Sequence, residues 1–193
     1  MGGNLSLDFA DTVDDRGSVQ PAELLNNYSD LLRWGAEAGV LSKREADSLG
    51  RLAANAPGHA QSALVRAQHL REAVYSIFSA VAQRRAVPGN ALTLLNLAVQ
   101  EAAAHARLAH GQRRFSWEWV TPEEHLDSVL WPVARSAADL LISPELSLVR
   151  LCASPTCGWL FLDQTKNHRR RWCEMRTCGN RDKARRYYER KRA

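Results

Sequence analysis

All four cysteines of this 193-residue chain fall in its last 42 residues, in the pattern C-x4-C-x15-C-x4-C: Cys152 and Cys157, then Cys173 and Cys178. Two such pairs can clamp one metal ion, each from a tight turn, while the loop between them brings the pairs together. The 15-residue spacer suits a paired-cysteine zinc site, and four residues within a pair is the wide end of the usual spacing. "CASPTCGW" carries Pro155 and Gly158, which suit a metal-binding knuckle, and it lies between the apolar runs "LSLVRL" and "WLFLD". That predicts a hairpin with the knuckle at its tip. Cys178 precedes a helical stretch, where backbone amides and the helix dipole favour a thiolate. Two disulfides, free thiols and a thiol redox switch are the competing readings; a reducing compartment argues against the disulfides. Four thiolates leave no open coordination position, so one Zn2+ would be structural and fold the module. Such a site contributes on the order of 10 kcal/mol, and a piece this short has little other means of stability.

Charge is distributed as unevenly as the cysteines. The chain is +5 overall, yet residues 152–193 hold twelve Lys or Arg against four Asp or Glu, and residues 1–151 hold fourteen against seventeen. A nearly neutral body with a strongly basic end calls for a polyanionic partner, nucleic acid before an anionic membrane. "NRDKARRYYERKR" predicts a helix with Asn180 as N-cap and Asp182 in its first turn. At 3.6 residues per turn, Ala184, Tyr187, Tyr188 and Lys191 share a side. That side is expected to lie on the knuckle, with Trp172 packed under the metal. The candidate nucleic-acid contacts are Arg169, Arg170, Arg171, Arg176, Arg181, Lys183, Arg185, Arg186, Arg190 and Lys191. Arginine grips guanine bidentately, so Arg181 and the arginines of the last helix are the candidate base readers.

The preceding residues read as mostly helical. "LSLDF" alternates and predicts a short strand or an extended entry. Pro21 opens a predicted helix through Gly39, with Leu24, Tyr28, Leu31 and Leu32 on one face. Ser42 to Glu45 forms a capping box for the next helix. Leu64, Ala67, Leu70, Val74, Ile77, Phe78 and Val81 mark a long helix after Pro57-Gly58, and Asn90 is a candidate cap for its successor. "RRFSWEWV" puts Phe115, Trp117 and Trp119 on one face of a strand, and the His110-Gly111-Gln112 turn predicts a hairpin with "AHARLA". A second capping box, Thr121 to Glu124, predicts a helix through Leu141, kinked at Pro132. Trp34, Trp117, Trp119 and Trp131 are expected in the core. Ser143-Pro144 ends the helical run, and the chain divides into residues 1–147 and 148–193.

Several classes are disfavoured. No run of 18 apolar residues offers a membrane span, and "MGGNLSLDFADTV" lacks the basic and apolar regions of a secretory signal. The expected location is the cytoplasm. There is no nucleotide-binding glycine loop, no H-E-x-x-H and no G-x-S-x-G, so an enzyme is not expected. The scattered histidines read as structural.

"RLCASPTCGWLFLDQTKNHRRRWCEMRTCGNRDKARRYYERKR" resembles the CGNR zinc finger, with the naming tetrapeptide at Cys178-Gly179-Asn180-Arg181. The residues before it resemble the ABATE domain that accompanies this finger in bacterial stress-response transcription regulators. "LDFADTV", Leu7 to Val13, is similar to that domain's opening signature, which commonly has Asn where Asp11 stands. The expected fold is therefore mainly α: a helical domain with a small β-hairpin, then a hairpin-plus-helix zinc module of treble-clef or ribbon type. The resemblance implies a regulator that binds duplex DNA through its finger, with a body that dimerises, binds a small-molecule effector, or both. The rival reading is a helical small-molecule-binding protein or enzyme with a structural or RNA-binding finger.

Overall fold

The computed structural model describes residues 2–111 and 114–192, with the side chains of Arg186 and Arg192 left out of the description; the predicted turn residue Gln112 also lies outside it. The core is built around one long helix, α4 (Pro57–Ala82), which Pro57 opens in the first position, where its missing N–H breaks no bond. Leu64, Ala67, Leu70, Val74, Ile77 and Phe78 recur at helical spacing and are buried, as the sequence predicts. Around α4 pack α1 (Leu5–Ala10), α2 (Tyr28–Glu37), α3 (Lys43–Asn55), α5 (Gly89–Ala104) and α6 (Leu130–Leu141). Each large side chain on this interface contributes about 1.5–3 kcal/mol by leaving water.

Among the described residues three antiparallel pairs complete the fold: β1 (Val13–Asp14) with β2 (Ala22–Glu23), β3 (Ala106–His110) with β4 (Phe115–Trp119), and β5 (Val149–Leu151) with β6 (Leu160–Leu162). The predicted hairpin over the β3–β4 region is present, with Leu108 opposite Trp117 and Ala106 opposite Trp119.

Local chemistry explains where the helices begin. Ser42 and Glu45 form the predicted capping box. For α2 the box is Asn27 with Asp30, so the helix starts at Tyr28, not at Pro21. The residues between are taken by the β1–β2 pair, and Leu24 is exposed. "LSLDF" is a helix, not a strand. The Asn4 side chain caps it by accepting from Ser6 N at 2.9 Å, and Ser6, Leu7, Phe9 and Ala10 are all buried. Six residues with Leu5 and Asp8 half-buried on one edge are too few to display a 3.6 period, which is why the alternation misleads.

Three further expectations are corrected. Asn90 lies inside α5, which begins at Gly89 with no side-chain cap. Thr121 has a left-handed φ of 44° and leads only into a short turn, Pro122–Glu124, without capping it. Helix α6 starts at Leu130, so Pro132 stands in its first turn, where no helical hydrogen bond is lost and no kink is required. Of the tryptophans, Trp131 is buried, while Trp34 and Trp119 pack partly buried against the core. Trp117 is 53% exposed: it shares its strand face with Trp119 but stands farther from the core, with the Arg135 guanidinium 4.9 Å from its ring centre.

Candidate metal centre and basic helix

The knuckle is built by the two short strands. Val149 pairs with Leu162 and Leu151 with Leu160, which returns the chain on itself between Cys152 and Trp159. Cys152 N donates to Trp159 O at 2.8 Å and Cys157 N to Ser154 O at 3.2 Å, closing the turn around the first cysteine pair. Gly158 follows with φ of 72°, a conformation that favours glycine. The second pair arrives through Ala153 N, which donates to Arg171 O at 2.8 Å, and Cys173 N, which donates to Cys152 Sγ at 3.4 Å. Cys178 sits in a widened helical turn, Met175–Gly179, that runs directly into α7 (Asn180–Arg192).

The four sulfurs lie within 4.8 Å of one another and all four residues are buried. Cys157 and Cys173 sulfurs are 3.6 Å apart, and Cys173 and Cys178 sulfurs 3.7 Å. Zinc–sulfur bonds of about 2.3 Å in a tetrahedron place sulfurs about 3.8 Å apart, so the cage fits Zn2+. Its electrostatics fit as well. Hydrogen bonds from Cys157 and Cys173 hold the Cys152 thiol down to about 2. Those contacts, led by Cys152, push Cys157 and Cys173 up. Alone, the cluster can hold little negative charge; a dication lets all four ionise. Trp159 and Trp172 pack beside the sulfurs and Phe161 beneath them, which places Trp172 as expected and encloses the centre. The four cysteines are thus the zinc site of a closed, structural finger.

The finger is joined to the body through residues 11–17. Leu160 N donates to Asp11 Oδ1 at 2.9 Å, Trp159 Nε1 to Val13 O at 3.2 Å, Arg16 N to Cys157 O at 3.0 Å and Gly17 N to Thr156 O at 2.9 Å. The Arg16 guanidinium pairs with Glu72 of α4 at 2.8 Å and lies over the Tyr75 ring. A side chain on Gly17 would collide with the Pro155 carbonyl. Leu160 and Leu162 belong to the same core as α1 and α4. This strut was not foreseen, although Asp11, the second of two acids in "LDFADTV" and flanked by Phe9, Ala10 and Val13, is the signal that could have found its body end. Burial pushes the Asp11 carboxyl up to about 8, with the Leu160 amide pulling the other way. Asp163, also missed, is fully buried and caps the following turn, accepting from Thr165 and from Arg170 N.

The candidate nucleic-acid residues occupy different situations. Arg169, Arg171, Arg176 and Lys183 are exposed. Arg170 is turned inward: its guanidinium donates to the Trp172 and Cys173 carbonyls and lies 4.7 Å from the Phe161 ring centre. Arg181 pairs with Asp15 at 3.4 Å and lies 3.9 Å from Cys178 Sγ. Arg185 pairs with Asp182 at 2.8 Å. Arg190 and Lys191 are exposed on the outer half of α7, and the Arg186 side chain is outside the described residues.

Two details of α7 are corrected. Asn180 is not an N-cap; it is already helical, continuing the turn around Cys178, and its side chain donates back to Arg176 O at 3.0 Å. The tyrosine side does not lie on the knuckle. Tyr187 is 49% and Tyr188 64% exposed, and the helix is anchored by its first turn, where Asp182 is buried. The tyrosines fall in the outer half of α7, beyond the first turn that anchors it.

A helical body joined to an enclosed four-cysteine centre and a basic helix defines a zinc-finger protein. The chain belongs to the ABATE family: residues 3–144 match that family's model, described as "Putative stress-induced transcription regulator". Residues 149–191 match the CGNR zinc finger. No curated protein matches the chain.

Proposed function

We propose that the protein is a zinc-dependent, DNA-binding transcription regulator acting in the cytoplasm, without catalytic activity. One observation carries this reading: α7 is anchored by Cys178 in the turn before it and by Asp182 in its first turn, and beyond that turn its described side chains are exposed, with Arg185, Arg190 and Lys191 against the acid Glu189. Zinc orders the helix, and the helix displays cations in fixed geometry toward phosphates. Arg169, Arg171, Arg176, Lys183, Arg190 and Lys191 are the phosphate contacts. Arg181, oriented by Asp15, and Arg186 are the base readers. Residues 1–147 form the effector or dimerisation domain, and residues 148–193 the finger. If about five phosphates are neutralised, log affinity for duplex DNA falls against log salt with a slope near −4 to −5. A slope near zero rejects phosphate contact.

The exposed Tyr187 and Tyr188, with rings 5.6 Å apart, favour a second reading. Aromatic rings beside cations stack on unpaired bases, which would make single-stranded nucleic acid the better ligand. Competition between duplex and single strand at fixed salt separates the two.

No helix among the described residues is long and apolar enough to cross a membrane.

A further inference from the structure

A cleft opens on the body where α4, α5 and α6 meet the turn that carries Asp127. Its larger lobe encloses about 450 Å³ and is floored by apolar side chains, among them Leu70, Leu94, Leu97 and Leu130. A smaller lobe of about 280 Å³ adjoins it, and Arg66, Glu101, Asp127 and Trp131 line both. The larger lobe has the size and mostly apolar lining of a small-molecule site. Leu97 is 62% exposed here, an apolar side chain facing an open lobe.

The polar groups are unevenly balanced. Across the two lobes, three carboxylates (Glu101, Glu124 and Asp127) accompany the single guanidinium of Arg66 and the imidazoles of His59, His69 and His125. Asp127 neutralises Arg66 through two hydrogen bonds, at 2.9 and 2.7 Å. Glu101 is held by one imidazole, with its carboxylate 3.1 Å from His105 Nε2, and remains mostly exposed. That imidazole stacks on Trp131 at 4.2 Å, which fixes the wall behind it. The geometry points to a binding site for a small organic cation: an apolar skeleton in the larger lobe, with a protonated amine on the Glu101 carboxylate. An organic anion of the same shape would meet the surplus of carboxylates and be excluded. This inference stands apart from the role of the finger.

Two matched pairs of probes test it on the zinc-loaded full chain: tryptamine against 3-indolepropionate, and 2-phenylethylamine against 3-phenylpropionate. Nitrogen–proton correlation spectra read the amides of residues 94–101 and the indole N–H of Trp131, which is buried without a partner among the described residues. The amines are expected to shift these signals saturably and the acids not to. Glu101→Gln weakens amine binding about tenfold or more. Leu97→Lys, at an exposed position that tolerates the change, removes it while the melting temperature holds. The proposal is overturned if the acids bind as tightly as the amines. It is equally overturned if the amines saturate a different set of residues, if either variant binds them as the parent does, or if no probe saturates by about 10 mM, the range of the weakest specific ligands.

Discussion

Asp11 accepts a hydrogen bond from the backbone of Leu160 at 2.9 Å, tying the end of the first helix to the strand that leaves the zinc knuckle. Its second oxygen, Oδ2, is buried with no hydrogen-bond partner among the described residues. Burial raises the carboxyl to about 8 in the folded chain, against an ordinary value of 3.8. The folded state therefore holds the proton more tightly than the unfolded one. The stability linked to this proton is full below about pH 4, is lost as pH rises toward 8, and stays lost above it. Asp11→Asn keeps the acceptor and removes the charge. It is expected to stabilise the protein by about 2–5 kcal/mol at pH 9 and by little at pH 4. Denaturant unfolding at both pH values checks this; a variant weaker than the parent at pH 9 contradicts it.

Gly17 is the closest approach of the body to the knuckle. Gly17→Ala forces a methyl against the Pro155 carbonyl and strains the hydrogen bond from Gly17 N to Thr156 O. The expected cost is about 1–3 kcal/mol, with faster loss of zinc to a chelator. An unchanged melting temperature and chelation rate would show that the strut carries no strain.

Cys173→Ser removes a ligand from the centre of the sulfur cluster. Zinc content is expected to fall from one per chain to near zero, and α7 to melt. The body keeps its helices but melts at a lower temperature, because Leu160 and Leu162 lie in its core. Elemental analysis and far-ultraviolet dichroism read the two effects. A body that melts as before would mean the strands contribute nothing to it.

Tyr187→Ala changes stability by less than about 0.5 kcal/mol, the usual range for an exposed position. If the tyrosines stack on bases, it weakens single-strand binding by about 1–3 kcal/mol. A large loss of stability would put Tyr187 against the knuckle after all.

The features legible in the sequence are those that local spacing determines. The cysteine pattern, the periodicity of α4 and the alternation of the β3–β4 hairpin each lie within one stretch of chain. Two other kinds of feature were hidden. Helix α1 is only six residues long and buries four of them, so its apolar residues show no helical stripe. The Asp11–Leu160 bond and the Gly17 contact join residues more than a hundred positions apart, so an acid at Asp11 can hint at one end but no local spacing pairs it with the other. The tyrosines show a third limit. The helical period groups Ala184, Tyr187 and Tyr188 on one side, but only the anchor at Cys178 and Asp182 decides which side meets the knuckle.

The account stands on sequence-specific duplex recognition by the zinc-ordered helix. A binding selection from randomised duplex DNA with the zinc-loaded chain tests it most directly. The expected result is an enriched sequence bound more tightly than random duplex, with the preference abolished by chelating the zinc and relaxed in Arg181→Ala at a cost of about 1–3 kcal/mol on the preferred site. Equal recovery of every duplex, with heparin binding equally well, would leave only a nonspecific polyanion surface and contradict the regulator.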